Sequence, residues 1–345
     1  MNNIDIAKAV AELRRYIDMD PRFTYHSFIA AGSYGSTHRI QYKNPKTQRQ
    51  TDYVVKKAAA SPSGRQSMRE EREFLKRLRG GRHVVRLLNL PEDPLSVYGM
   101  EGEWIALEWL PNGTLERFVQ RARAAGFTRL PNRLLWRFFL CLIRGLCAIN
   151  WPRGREDAHV ETEIPRPNEP GSKLTHNDLH DGNILMGDFS SGEHNMTPLL
   201  KIIDYGLMGE EYFATDAEEQ AVRVNVHEMG QRMMELMVVD DQFELTLDFA
   251  MMFHQGQWIQ TLSSAVTPRE PGMANPVPGV DDLMVTIVGL CMATDEYRHF
   301  KPNLTDLTDW ITTAIRERDQ EFYGGYDSES NESIKQLCQD LILEP

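Results

Sequence analysis

The stretch "KLTHNDLHDGNILMGD", residues 173–188, decides how this chain is read. It sets His176, Asp178 and Asn183 within eight residues, between Leu174 and the apolar pair Ile184-Leu185. One Asp among apolar residues is ordinary turn chemistry. A His, an Asp and an Asn at this spacing read as a site that handles a proton and a metal ion, if the rest of the chain supplies partners.

Downstream, "LLKIIDYG", 199–206, reads as a buried strand that delivers Asp204 to its end. Oxygen donors such as Asn183 and Asp204 suit a hard ion such as Mg²⁺, held together with substrate phosphates. Upstream, "LLWRFFLCLIRGLCAI", 134–149, is apolar on nearly every face and reads as a central buried helix. Residues 151–173 are polar and rich in Pro and Glu, and read as an exposed insertion. Further helices are expected at 226–238, at 247–262 ("LDFAMMFHQGQWIQTL"), at 281–294 and at 307–318.

The first third has a different texture. Residues 4–17 place Ile6, Val10, Leu13 and Ile17 at helical spacing. "FIAAGSYGSTHRIQY", 28–42, reads as strand, glycine turn, strand, and "DYVVKKAAA", 52–60, as a third strand. "HVVRLLNL" and "EWIALEWL" read as two more, around a helix "QSMREEREFLKRLRG" at 66–80. On that helix Glu71 shares the apolar face with Phe74, Leu75 and Leu78, at i, i+3, i+4 and i+7. A carboxylate directed inward needs a cation, because burying it unpaired is costly. Lys56, at the end of the third strand, is the available one. Gly32 and Gly35 allow backbone N–H groups to approach a phosphate closely.

Composition bounds the rest. The chain has 345 residues and a formal net charge of −12, which argues against a general nucleic-acid or anionic-membrane binder. The longest uncharged apolar run, "LMVTIVGLCMAT" from Leu283, is too short to span a bilayer. Cys141, Cys147, Cys291 and Cys338 show no metal-type spacing and read as buried free thiols. With a charged N-terminus and no signal-peptide core, a cytoplasmic or nuclear protein is expected.

Taken in chain order, these features resemble the protein kinases and their relatives over roughly 22–317. "YVVKK" is similar to the family's Val-Ala-Ile-Lys strand, "HNDLHDGN" to His-Arg-Asp-Leu-Lys-Pro-Glu-Asn, and "DYG" to Asp-Phe-Gly. "NVHEMG", 225–230, is loosely similar to the Asp-x-Trp-x-x-Gly start of the family's central helix. The resemblance implies an α+β, bilobal fold, with a small antiparallel β-rich N-lobe carrying one helix and a mostly helical C-lobe. It divides the chain into an N-terminal helical extension (1–21), the N-lobe (22–110), the C-lobe (111–317, with the 151–173 insertion) and a C-terminal tail (318–345).

It also implies ATP and Mg²⁺ as cofactors and assigns roles. Lys56, held by Glu71, would contact the phosphates, and the backbone of Gly32, Ser33 and Gly35 would cover them. Leu107 would be the gatekeeper, with Glu108 to Leu110 gripping adenine through backbone groups. Asp178 would be the catalytic base, Asn183 and Asp204 the metal ligands, and His180 would stand where the family has a lysine on the transferring phosphate. Ala30 replaces the first loop glycine, Thr37 the valine over adenine, and Asn177 the arginine before the base. No Ala-Pro-Glu follows Asp204, and "MGEEYFATDAEE" is short and acidic, so activation by a phosphate on Tyr212 or Thr215 is not expected. "DLHDGN" is also similar to the aminoglycoside and choline kinase branch. The expected function is that of an atypical protein serine/threonine kinase; the alternatives are a kinase of a small hydroxylated metabolite and a pseudokinase scaffold.

Overall fold

A computed structural model describes residues 3–155, 159–212, 216–239, 248–267, 273 and 275–343 of the chain. Helix α1 (Asn3–Ile17) leads into strands β1 (Phe23–Ala31), β2 (Gly35–Lys43) and β3 (Gln50–Ala58). Helix α2 (Pro62–Arg77), strand β4 (Leu87–Leu88), the short helix α3 (Pro94–Val97) and strand β5 (Trp104–Glu108) follow. The five strands form one sheet in the order β1-β2-β3-β5-β4, every neighbouring pair antiparallel.

Alternation along β3 gives the sheet two faces. Tyr53 and Val55 join Leu13 and Ile17 of α1 in one apolar cluster, with Phe23, Ile40 and Ala106. Val54 points the other way, with Ile105 and Leu107 of β5, toward α2 and the main core. The consecutive lysines are split by the same alternation: Lys57 pairs with Glu12 of α1 at 2.5 Å and Lys56 with Glu71 of α2. Helix α2 starts where Ser61 accepts the Gly64 N–H and Pro62 sets the first turn. It buries Gly64, Met68, Glu71 and Leu75, so Glu71 is the one charged residue in that stripe.

The second half is mostly helical. Helix α4 (Leu115–Ala124), capped by Thr114, precedes α5 (Asn132–Asn150), which is buried along almost its whole length. Four short strands frame the decisive stretch. β6 (Leu174–Thr175) pairs with β9 (Gly209–Glu210), while β7 (Ile184–Met186) pairs with β8 (Leu200–Ile202). Helix α6 (Ala217–Met237), the hairpin β10 (Ala250–His254) with β11 (Gln257–Thr261), and helices α7 (Asp282–Cys291), α8 (Leu304–Glu317) and α9 (Asn331–Leu343) complete the described chain. One apolar cluster runs from Met68 and Leu75 of α2 through α5 and α6 to Ile334 and Cys338 of α9. The fold class is α+β, and no helix of the described residues is long and apolar enough to cross a membrane.

Three expectations are corrected. The helix read at 247–262 is, over its described part, the β10–β11 hairpin. Gln255 and Gly256, at φ +50° and +85°, form the left-handed two-residue turn that joins twisted strands. The apolar spacing of "AMMFHQGQWIQT" fits both periods, and the turn decides. The 151–173 stretch is not wholly exposed, since the Glu163 side chain lies buried against His83 at 2.6 Å. Residues 318–345 are more than a tail. α9 lies in the main core, and Glu329 accepts the N–H groups of Asn132 and Arg133 at 2.8 and 3.0 Å, capping α5 from far along the chain.

Candidate active site

β3, α2 and the end of the β8 segment converge on one ammonium group. Lys56 Nζ lies 2.8 Å from Glu71 and 2.7 Å from Asp204 Oδ1. Two carboxylates share one lysine, and their burial differs: the Glu71 side chain is 3% exposed, that of Asp204 42%. Burial pushes the Glu71 carboxyl up against the pull of Lys56. At Asp204 burial acts in the same sense, but the Lys56 charge and hydrogen bond outweigh it and hold the carboxyl below its usual value. The Lys56 pKa is raised: desolvation opposes its charge, and the two carboxylates more than compensate.

The decisive stretch forms a loop braced from behind. His176 is fully buried; its Nε2 donates to the Ile203 carbonyl at 3.1 Å and its Nδ1 accepts the Asp178 N–H at 3.3 Å. Burial lowers its pKa, and both ring nitrogens are committed, so His176 is scaffold rather than a proton carrier. Asn225 of α6 accepts the His176 N–H at 2.9 Å and donates to the Leu174 carbonyl at 2.8 Å. Asn177 and Asp204 both sit at positive φ, 62° and 61°, a strained conformation for residues with a Cβ. The two loops are tied together: the Ile203 N–H donates to the Asn183 carbonyl at 2.9 Å.

Asn183 Nδ2 donates to the Asp178 carbonyl and to its Oδ2, at 2.9 and 3.0 Å, and the Asn183 Oδ1 accepts from no group among the described residues. His180 is half exposed; its Nδ1 accepts the Gly182 N–H at 3.1 Å, so its proton is on Nε2, 3.9 Å from Asp178 Oδ1. Carboxylate and amide oxygens of the kind that Asp204 and Asn183 carry are the donor types a hard divalent ion prefers.

The glycine turn lies at the open end of the sheet. The Gly32 N–H donates to the Gly35 carbonyl at 2.9 Å, with Ser33 at the tip. A Cβ on Gly35 would come within 2.3 Å of the Lys57 carbonyl, so only glycine lets β2 start this close to β3. Thr37 is the cross-strand partner of Lys56 and of Ala30. At the other end Glu108 is committed: its N–H donates to the Arg86 carbonyl, and its carboxylate takes Lys201 at 2.6 Å and Arg86 at 2.9 Å. Burial works against its charge, yet Lys201 and Arg86 hold its pKa below the usual range. The Leu110 backbone has no such partner among the described residues and remains available.

Sequence reasoning missed Glu228. One turn along α6 from Asn225, it accepts the N–H groups of Asn177 and Leu179, and its Oε2 is buried without a partner. Its burial, with the nearby Asp178 charge, raises its pKa to about 7. Its only signal was the i, i+3 spacing from Asn225. With Arg223, His227, Asp295 and Lys301, Glu228 lines a cleft of about 550 Å³ of mixed polar and apolar character. Compared with known proteins, the chain matches no family model and no curated sequence.

Proposed function

We propose that this chain is an ATP- and Mg²⁺-dependent phosphotransferase of the protein-kinase-like kind, acting on a serine or threonine hydroxyl of a protein. The observation that carries the reading is the Lys56–Glu71–Asp204 cluster, assembled from three separate elements beside Asp178 and Asn183. In this reading Lys56 leaves Asp204 for the nucleotide phosphates while Glu71 keeps hold of it. Asp204 and the Asn183 Oδ1 would hold Mg²⁺, whose charge would offset the negative charge of the phosphates. The backbone of Gly32 to Gly35 covers the phosphates, and that of Leu110 meets the base. Asp178 orients the acceptor hydroxyl and takes its proton as the new O–P bond forms; the β–γ bridge breaks and ADP leaves.

Asp178→Asn is isosteric and keeps the Asn183 contact. Phosphotransfer from Mg-ATP, read by mass spectrometry, should fall about 10²–10⁴-fold with unchanged thermal stability. Wild-type turnover in the variant would overturn the reading. A second reading, a kinase of a small polar hydroxyl compound, is favoured by the cleft lined by Glu228 and Lys301. ATP turnover that requires an added metabolite, with no autophosphorylation, would select it.

A further inference from the structure

Away from the candidate active site, three groups that bind soft metals meet inside the protein. His83 follows α2, Cys141 lies in α5 and His194 ends a short 3-10 helix (Gly192–His194) between β7 and β8. They are 0, 3 and 2% exposed, and one donor atom from each lies within 4.8 Å of the others. The Cys141 Sγ is 3.8 Å from His194 Nδ1, and the two imidazole ring centroids lie 5.3 Å apart, the rings tilted by 53°.

A second observation concerns protons. His83 Nδ1 lies 2.6 Å from a Glu163 oxygen and donates to it, so Nε2 carries the lone pair. Among the described residues that Nε2 is buried and has no partner. Buried polar atoms left unmatched cost free energy and call for an explanation. A cation between the rings supplies one.

We propose that His83, Cys141 and His194 form a structural zinc site that pins the β7–β8 connection and the 151–173 loop to α5. A thiolate and two imidazoles suit borderline-soft Zn²⁺. A tetrahedron with Zn–S of about 2.3 Å and Zn–N of about 2.0 Å sets the donors roughly 3.3–3.5 Å apart, so donor pairs close by about 1.5 Å or less on binding. Cys141 releases its proton to solvent as the Zn–S bond forms. Glu163 supplies the carboxylate that commonly orients a zinc-bound histidine through its other nitrogen. Arg144 holds that support in place, donating to the Glu163 carbonyl and, at 2.8 Å, to Glu193. Arg82, Arg137 and Arg144 oppose a cation near His194, while the Glu163 and Glu193 carboxylates, whose charges reach Cys141, act in the opposite sense.

The test uses the full chain, stripped with a chelator and titrated with Co²⁺ and then Zn²⁺. One equivalent of cobalt should give a thiolate-to-cobalt charge-transfer band that zinc abolishes. Cys141→Ser should lose the band, while Cys147→Ser, a buried thiol on the same helix, should keep it. Glu163→Gln retains all three ligands and should weaken cobalt binding about 10–100-fold. Failure of the wild-type protein to take up stoichiometric cobalt or zinc would overturn the site, whatever the variants do. So would a band that survives in Cys141→Ser.

Discussion

Charge at single residues here is set by how many groups share a partner. Lys56 serves two carboxylates, and the buried one is pushed toward neutrality while the exposed one stays ionised. Glu228 has no cation in direct contact, and its pKa rises to about 7 because burial dominates; Arg232 opposes the shift and Asp178 adds to it. Below the ordinary value of 4.5 the carboxyl is protonated in both folded and unfolded chains. Between 4.5 and about 7 the folded chain binds the extra proton, so stability falls as pH rises through that window. Glu235, also raised to about 7, acts in the same sense. Glu228→Gln should therefore show a smaller loss of melting temperature from pH 5 to pH 8 than the parent chain. Contributions from His38, His194 and His227, whose pKa values are lowered by burial, cancel in the difference. Parallel melting curves for the two proteins would contradict the assignment.

Helices and strands here depend on partners that are distant in sequence. Pro131, at the start of α5, offers no side-chain cap, and Glu329 supplies it from the segment before α9. Glu329→Ala leaves a buried and a half-buried N–H group without that acceptor and should cost about 1–3 kcal/mol in urea unfolding. A change within a few tenths would mean that water replaces the carboxylate. The acidic segment after Asp204 also gains partners in space. Arg77 at the end of α2 pairs with Glu210, which accepts the Tyr212 hydroxyl at 2.5 Å. The sequence of that segment carries no cation, yet the fold brings one beside Tyr212; Thr215 lies outside the described residues. The β10–β11 hairpin shows the limit of periodicity. Its pattern served a helix as well as a strand, and two left-handed residues decided the matter.

Across the whole molecule one apolar cluster joins α2 and β5 to the helices of the second half. Such continuity couples the two halves, so thermal unfolding should be one cooperative transition with matching calorimetric and van't Hoff enthalpies. Two resolved transitions would show that the shared core does not carry the coupling. The sequence by itself determined the β-rich first third, the buried α5 and the inward-facing carboxylate of Glu71, because side-chain period and burial are local properties. It also marked Lys56, Asp178, Asn183 and Asp204, since strand ends and polar loops between apolar runs stand out in one dimension. Only the tertiary structure put Lys56 between two acids 15 and 148 residues away. It alone raised the Glu228 pKa, capped α5 with Glu329 and gathered His83, Cys141 and His194. Burial, electrostatic coupling and metal-type geometry are properties of neighbours in space, and no spacing along this chain encodes which distant residues become neighbours.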